Sequence, residues 1–220
     1  INALPLQRKE KINTTIIGCF SIGLGAALTP IGEPLSTIVI SKLGEQFFYL
    51  LKLLGVFIIP GVIVFGLLSS LSVKRASKDS DTGETIDLED ETTKGVVLRA
   101  GKIFLFIMAL ELLGKGFEPV INTYIIHLDG RILYWINMIS AVLDNATLAA
   151  AEISPAMSGL QIEAILMGLL VSGGMLIPGN IPNIISAGKL NITSSEWAKL
   201  GVPLGLAMLI IYYLIIFVII

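Results

Sequence analysis

Long apolar runs, interrupted at three points by proline, glycine and polar side chains, set the pattern of this 220-residue chain. Residues 12–28 are apolar and rich in glycine (Gly18, Gly23, Gly25), which predicts a half-helix that neighbours can approach closely. The stretch Thr29-Pro30-Ile31-Gly32-Glu33-Pro34 follows, then a second half-helix at 35–43. Two prolines four apart cannot continue a regular helix, because neither supplies an N–H and each ring clashes with the turn before it. As one helix, 12–43 would run about 48 Å, against a hydrocarbon core of roughly 30 Å, so a broken helix fits better. Residues 46–72 predict a plain spanning helix in which Pro60 is a tolerated kink. Residues 73–95 are polar and predict a solvated loop, and 96–115 predict a third span with Glu111 one turn from Lys115. Residues 117–130, too short and mixed to span, are placed on the membrane interface with His127 at a wet position. In 131–157 the polar group Asp144, Asn145 and Thr147 falls inside an apolar run. Either a kinked span or a re-entrant hairpin accounts for it, each hairpin arm being about 18 Å long. Residues 159–190 are broken at Pro178-Gly179-Asn180-Ile181-Pro182, and 194–220 predict a last span opening near Trp197.

The two proline breaks repeat. Gly25 pairs with Gly173, Leu28 with Leu176, Pro30 with Pro178 and Pro34 with Pro182, each pair 148 apart, and the same offset lays span 46–72 on span 194–220. Repeats with interrupted helices mark secondary transporters, with the site where the breaks meet. The expected organisation is therefore the end of a first repeat at 1–72, a cytoplasmic loop at 73–95, a scaffold span and interfacial segment at 96–130, and a second repeat at 131–220. A hairpin at 131–157 leaves one crossing between the repeats and makes them inverted. With the N-terminus inside, 11 of the 15 basic residues then fall on the cytoplasmic side, in keeping with the positive-inside rule. The partner of the 131–157 hairpin would precede Ile1, so the chain, which opens without methionine, reads as part of a longer polypeptide.

Composition agrees with a bilayer as solvent. The chain is 54% hydrophobic and 15% charged, with mean hydropathy +0.85, whereas soluble domains are nearer a quarter charged. A net charge of −2 gives no ground for a nucleic-acid partner. The single cysteine, Cys19, reads as a small buried packing residue. The acidic cluster Asp87, Glu89, Asp90 and Glu91 lacks the ordered spacing of a calcium loop and reads as soluble linker. Neither a His-Glu-x-x-His helix nor a Gly-x-Ser-x-Gly elbow occurs, so an enzyme is not expected.

A Thr-Pro-Ile-Gly-acidic break after a glycine-rich half-helix, with an Asp-Asn-x-Thr hairpin tip, resembles the ion transporter superfamily over residues 12–72 and 131–220. The similar branches are the sodium/proton antiporters, the arsenite-permease-like members and a poorly characterised archaeal and bacterial group of cation transporters. The resemblance implies an all-α integral membrane protein of the plasma membrane, an inverted-repeat secondary transporter with broken helices and a re-entrant hairpin, often a homodimer. It also implies that Thr29, Gly32 and Glu33, then Asp144, Asn145 and Thr147, then Gly179, Asn180 and Asn183 line a central site. Anion-carrying members have neutral tips; Asp144 here shifts the expectation to a cation. Glu33 and Asp144, with carbonyls freed at the prolines, would bind Na⁺ as cargo, a hard ion suited to oxygen ligands. Because two carboxylates in a low dielectric repel, a proton would compete with Na⁺, which couples exchange and requires no cofactor. The alternatives are an ion-coupled permease for a small anion such as a carboxylate or arsenite, and a membrane subunit that does not transport.

Overall fold

The computed structural model describes residues 7–76, 101, 104–105, 108–109, 112, 115–117 and 119–219. The acidic cluster, Glu111 and much of the expected 96–115 span lie outside the described residues. Within the described residues the chain is helical, without strands.

Helix α1 runs Arg8–Ala26, starting earlier than the apolar run because Gln7 and Glu10 close a capping box that draws the basic flank into the first turn. After the break, α2 (Pro34–Leu43) begins with Pro34, whose missing N–H is one of the orphans of a first turn, and ends at Gly44 in the left-handed region. Helix α3 (Tyr49–Ala76) continues through Pro60. Within 117–130 there is a π-helical turn, Ile121–Ile125, followed by a bend carrying the exposed His127. The segment 131–157 is two short arms rather than one helix. The first is α4 (Gly130–Ile136), tightening into a 3₁₀ turn at Asn137–Ala141. The second is α5 (Asn145–Glu152), capped by Asp144. Helix α6 (Gly159–Gly173), a 3₁₀ turn Ile177–Gly179 and α7 (Ile181–Leu190) make the second broken helix. Helix α8 (Ser194–Leu214) closes the chain and passes into a π-helical turn, Ile215–Ile219.

Landmarks recur along the two broken helices, in a register one residue shorter than the prolines suggest. The half-helices α1 and α6 end at the C-caps Ala27 and Gly174, and the N-caps Glu33 and Asn180 share an extended backbone (φ −156 and −154). Gly44 and Asn191 are the two described residues with positive φ, each closing a ten-residue helix. All three pairs are 147 apart (174 − 27, 180 − 33, 191 − 44), not 148. Pro34 sits at the first helical position while Pro182 sits at the second, and both places tolerate a missing N–H. Buried positions in the following helices keep this register: Leu50, Leu54, Ile58 and Phe65 match Trp197, Gly201, Gly205 and Tyr212.

Helix α6 is the centre of the packing, buried on every side from Ala164 to Gly173. The α4 arm and its 3₁₀ turn pack against it, α5 packs on α2, and α1 lies along α3. By contrast, Tyr49–Leu71 and Ser194–Ile219 are long and apolar enough to cross a membrane, and only 33% and 22% of their apolar windows are buried. Their outer faces (Val56, Ile63, Leu67 and Leu71; Ile210, Leu214 and Val218) suit hydrocarbon rather than water. Tyr212 of α8 joins the two helices, its Oη donating to the carbonyl of Phe57 at 3.1 Å, next to the turn that Pro60 disturbs. Tyr212→Phe is expected to lower stability by about 1 kcal/mol, the usual net contribution of such a bond, read as a lower unfolding temperature in detergent.

Candidate functional site

Both breaks are built by the same device. At the third position of α2, Ser36 Oγ donates 3.0 Å back to the carbonyl of Ala27, just past α1, and Thr37 Oγ1 donates to Pro30 O. At the third position of α7, Asn183 Nδ2 donates to the carbonyls of Gly173 and Leu176, both at 2.9 Å, and Trp197 Nε1 donates 3.2 Å to Gly174 O. Carbonyls orphaned where α1 and α6 stop are thus satisfied by side chains from the next half-helix and, at Gly174, from Trp197 of α8, as a water-free setting demands.

Close approach of backbone brings the elements together. A Cβ on Gly173 would stand 3.0 Å from Gly179 O, 3.5 Å from Ser140 Oγ and 3.7 Å from Asn145 Nδ2. A Cβ on Gly179 would stand 2.5 Å from Ser140 O and 2.6 Å from Gly173 O. The second break therefore meets the 3₁₀ turn of the α4 arm and the N-terminus of α5. From the other side, Gly23 of α1 makes room for the buried Asn180, whose Nδ2 lies 2.6 Å from where a Cβ would be. Gly32 folds the first break onto the Ala26 carbonyl, and its N–H donates 3.0 Å to Thr29 O.

Glu33 completes the meeting. Its carboxyl faces the Asn145 side chain and lies close enough to Asp144 for the two charges to repel. The Glu33 and Asn145 side chains do not close a hydrogen bond, for Glu33 Oε1 and Asn145 Nδ2 are both buried without a partner. Asn183 Oδ1 is a third buried atom without one. Orphaned buried polar groups are costly and call for an explanation. Among the described residues no three His, Cys, Asp or Glu side chains gather around a metal. Any oxygen set for an ion near Glu33 and Asp144 must then be filled by amides, hydroxyls and carbonyls.

The residues expected from sequence thus divide by task. Glu33 faces Asn145 and Asp144, Gly179 and Asn183 crowd Gly173 beside Asn145, and Asn180 fills the space left by Gly23. Thr29 and Gly32 form the turn that presents Glu33. Asp144 is close to Glu33 and is also the N-cap of α5, with Oδ2 accepting from Thr147 N at 2.9 Å and Thr147 Oγ1 at 3.1 Å. Thr147 is therefore committed to Asp144. Sequence reasoning passed over Ser140, buried at the crossing with its Oγ donating to Leu169 O at 3.2 Å, and Ser36. The signal for Ser36 and Asn183 was positional: each is a polar residue at the third position of a helix that opens with proline.

No curated protein and no solved structure matches the chain. Its sequence does match, over residues 1–219, the model of a family described as a protein of unknown function, DUF1646, and the chain belongs to that family.

Proposed function

We propose that this chain forms a secondary active transporter, multi-pass in the plasma membrane, that carries a monovalent cation, Na⁺ in exchange for H⁺. The recurring landmarks 147 residues apart support reading the two broken helices as an inverted repeat, with 131–157 as a re-entrant hairpin whose tip is Asp144. The observation that carries the proposal is a set of buried, unpartnered polar atoms, Glu33 Oε1, Asn145 Nδ2 and Asn183 Oδ1, on elements in serial contact: Glu33 faces Asn145, Asn145 borders Gly173, and Asn183 holds Gly173 O. An ion with an incomplete oxygen shell would be held by Glu33, Asp144, Asn183 Oδ1 and carbonyls of the breaks. In its absence a proton on Glu33 removes the repulsion from Asp144, so that one site alternates between two positive cargoes. Ionisable groups within a membrane mark ion pathways, and interrupted helices build transport sites at the midplane.

A second reading, a permease for a small anion, draws on a different feature. The N-caps of α2 and α7 make no side-chain cap bond, which leaves two helix N-termini without a side-chain acceptor. Glu33 at one of those termini opposes an anion, which favours the cation. Reconstitution of the protein in liposomes under a pH gradient distinguishes the readings. Na⁺ is expected to dissipate the gradient, and Glu33→Gln and Asp144→Asn are each expected to abolish that flux. Normal exchange by both variants would overturn the site, flux driven only by carboxylates or arsenite would favour the permease, and no flux would favour a non-transporting subunit.

A further inference from the structure

A cavity of about 510 Å³ opens between the first turns of α1 and α8, lined by Arg8, Lys9 and Asn13 on one helix and by Glu196 and Lys199 on the other. That volume is within the range of sites for small molecules. Its charges are unequally committed. Glu196 is the one acid in the lining, and both of its oxygens are taken. Arg8 Nε donates to Oε1 at 3.1 Å and Arg8 Nη2 to Oε2 at 3.0 Å, while Thr193 donates to Oε2 through N and Oγ1, both at 2.9 Å. Arg8 Nη2 also donates to Asn191 O at 2.9 Å, so this guanidinium is a fixed clamp between α1 and α8. Lys9 and Lys199 are exposed, and among the described residues neither has an ion-pair partner. With Arg8 and Glu196 cancelling, the charge of two ammonium groups remains in the cavity.

The surroundings of those two charges are apolar. Buried Ile12 and half-buried Leu200 complete the wall. Along α8, Lys199 heads a stripe of exposed residues at helical spacing, Pro203, Leu206, Ile210 and Leu214. This is the outward face of a helix long and apolar enough to cross a membrane from Ser194 onwards. The cavity therefore lies at the end of a span, where hydrocarbon gives way to headgroups and a lysine can extend its ammonium toward water.

We infer that this cavity binds an anionic phospholipid, its phosphate between Lys9 and Lys199 and an acyl chain along the stripe below Lys199. Basic pockets between helices at a membrane surface recognise lipid headgroups through such charges. A zwitterionic headgroup brings its own cation, which the lysines repel; an anionic one does not. A free phosphate would leave the apolar wall and stripe unused. Seated across α1 and α8, the lipid reinforces the junction that Arg8 already makes. The inference requires a chain in a bilayer and is independent of what the chain carries.

Native mass spectrometry and thermal unfolding of the detergent-solubilised protein, titrated with phosphatidylglycerol or phosphatidylcholine, test it. Phosphatidylglycerol is expected to bind more tightly and to raise the unfolding temperature. Lys9→Gln and Lys199→Gln, both at exposed positions, are each expected to weaken that binding about fivefold, the equivalent of about 1 kcal/mol per lysine near a membrane surface. Lys52, at the place in α3 that matches Lys199 in the register of 147 (199 − 147), lies outside the cavity, and Lys52→Gln is expected to bind as the wild type does. Equal affinity for the two lipids would overturn the inference. So would equal losses in Lys52→Gln and Lys199→Gln, or equal stabilisation by inorganic phosphate alone.

Discussion

Glu33→Gln is expected to weaken Na⁺ binding about tenfold to hundredfold, the equivalent of losing one charge-assisted contact of roughly 1.5–3 kcal/mol. The same substitution is expected to leave the unfolding temperature unchanged or to raise it. The two effects diverge because Glu33 Oε1 is buried without a donor, so the carboxylate is a liability to the fold whenever no cation is present. Glutamine keeps the shape, gives up the charge and can offer an N–H. Isothermal titration with Na⁺ together with thermal unfolding, with and without the ion, checks both halves. Na⁺ should stabilise the wild-type protein in proportion to its occupancy and should have little effect on the variant. A variant that binds Na⁺ normally, or that loses stability as a broken structural contact would, removes Glu33 from the site. Asp144→Asn is a sharper control on the neighbouring charge, since asparagine caps a helix about as well as aspartate and the α5 N-terminus should hold.

What could be read from the chain before its structure follows a physical rule. Proline and glycine cannot hide inside a helix, so both breaks and the Asp-Asn turn were visible, and helix ends fell within a few residues of expectation. Glu33 and Asp144 were visible because a charge in an apolar run is expensive. The caps and left-handed residues of the two broken helices lie 147 apart, one less than the spacing of the prolines. Proline is acceptable at either of the first two helical residues, so aligning prolines fixes the register only to within one, whereas the caps and the left-handed residues Gly44 and Asn191 fix it fully. The double duty of Asp144 was legible in principle, for an acidic residue three before threonine at a helix start is a capping pattern. Glu152 was not. Beside Ile153-Ser154-Pro155 it looks like an ordinary polar helix end, and only the tertiary packing leaves this half-buried residue with an enclosed Oε2. Ser140 and Trp197 stayed illegible for the same reason. Their partners, Leu169 O and Gly174 O, are backbone carbonyls 29 and 23 residues away, and no local pattern predicts such pairings.

The second large effect is expected at Gly179. An added methyl would lie 2.5 Å from Ser140 O, 2.6 Å from Gly173 O and 3.0 Å from Gly173 Cα, all of them backbone atoms that cannot rotate aside. Overpacking typically costs about 1–3 kcal/mol, and Gly179→Ala belongs at the upper end because the break itself must move away from the arm that carries Ser140. That movement pulls on Asn183, which ties α7 to Gly173 O and Leu176 O, and so shifts Asn183 Oδ1 relative to Glu33. Stability and Na⁺ affinity should therefore fall together, in contrast to Glu33→Gln. Gly188, in the last turn of α7 with open space where a Cβ would go, is the matched control. Gly188→Ala should gain about 0.5–1 kcal/mol from helix propensity and leave Na⁺ binding unchanged. Unfolding and Na⁺ titration of the two variants in parallel decide the matter. If Gly179→Ala were as stable and as tight for Na⁺ as the wild type, the close crossing of the second break over the 3₁₀ turn at Ser140 would not be what holds the proposed site together.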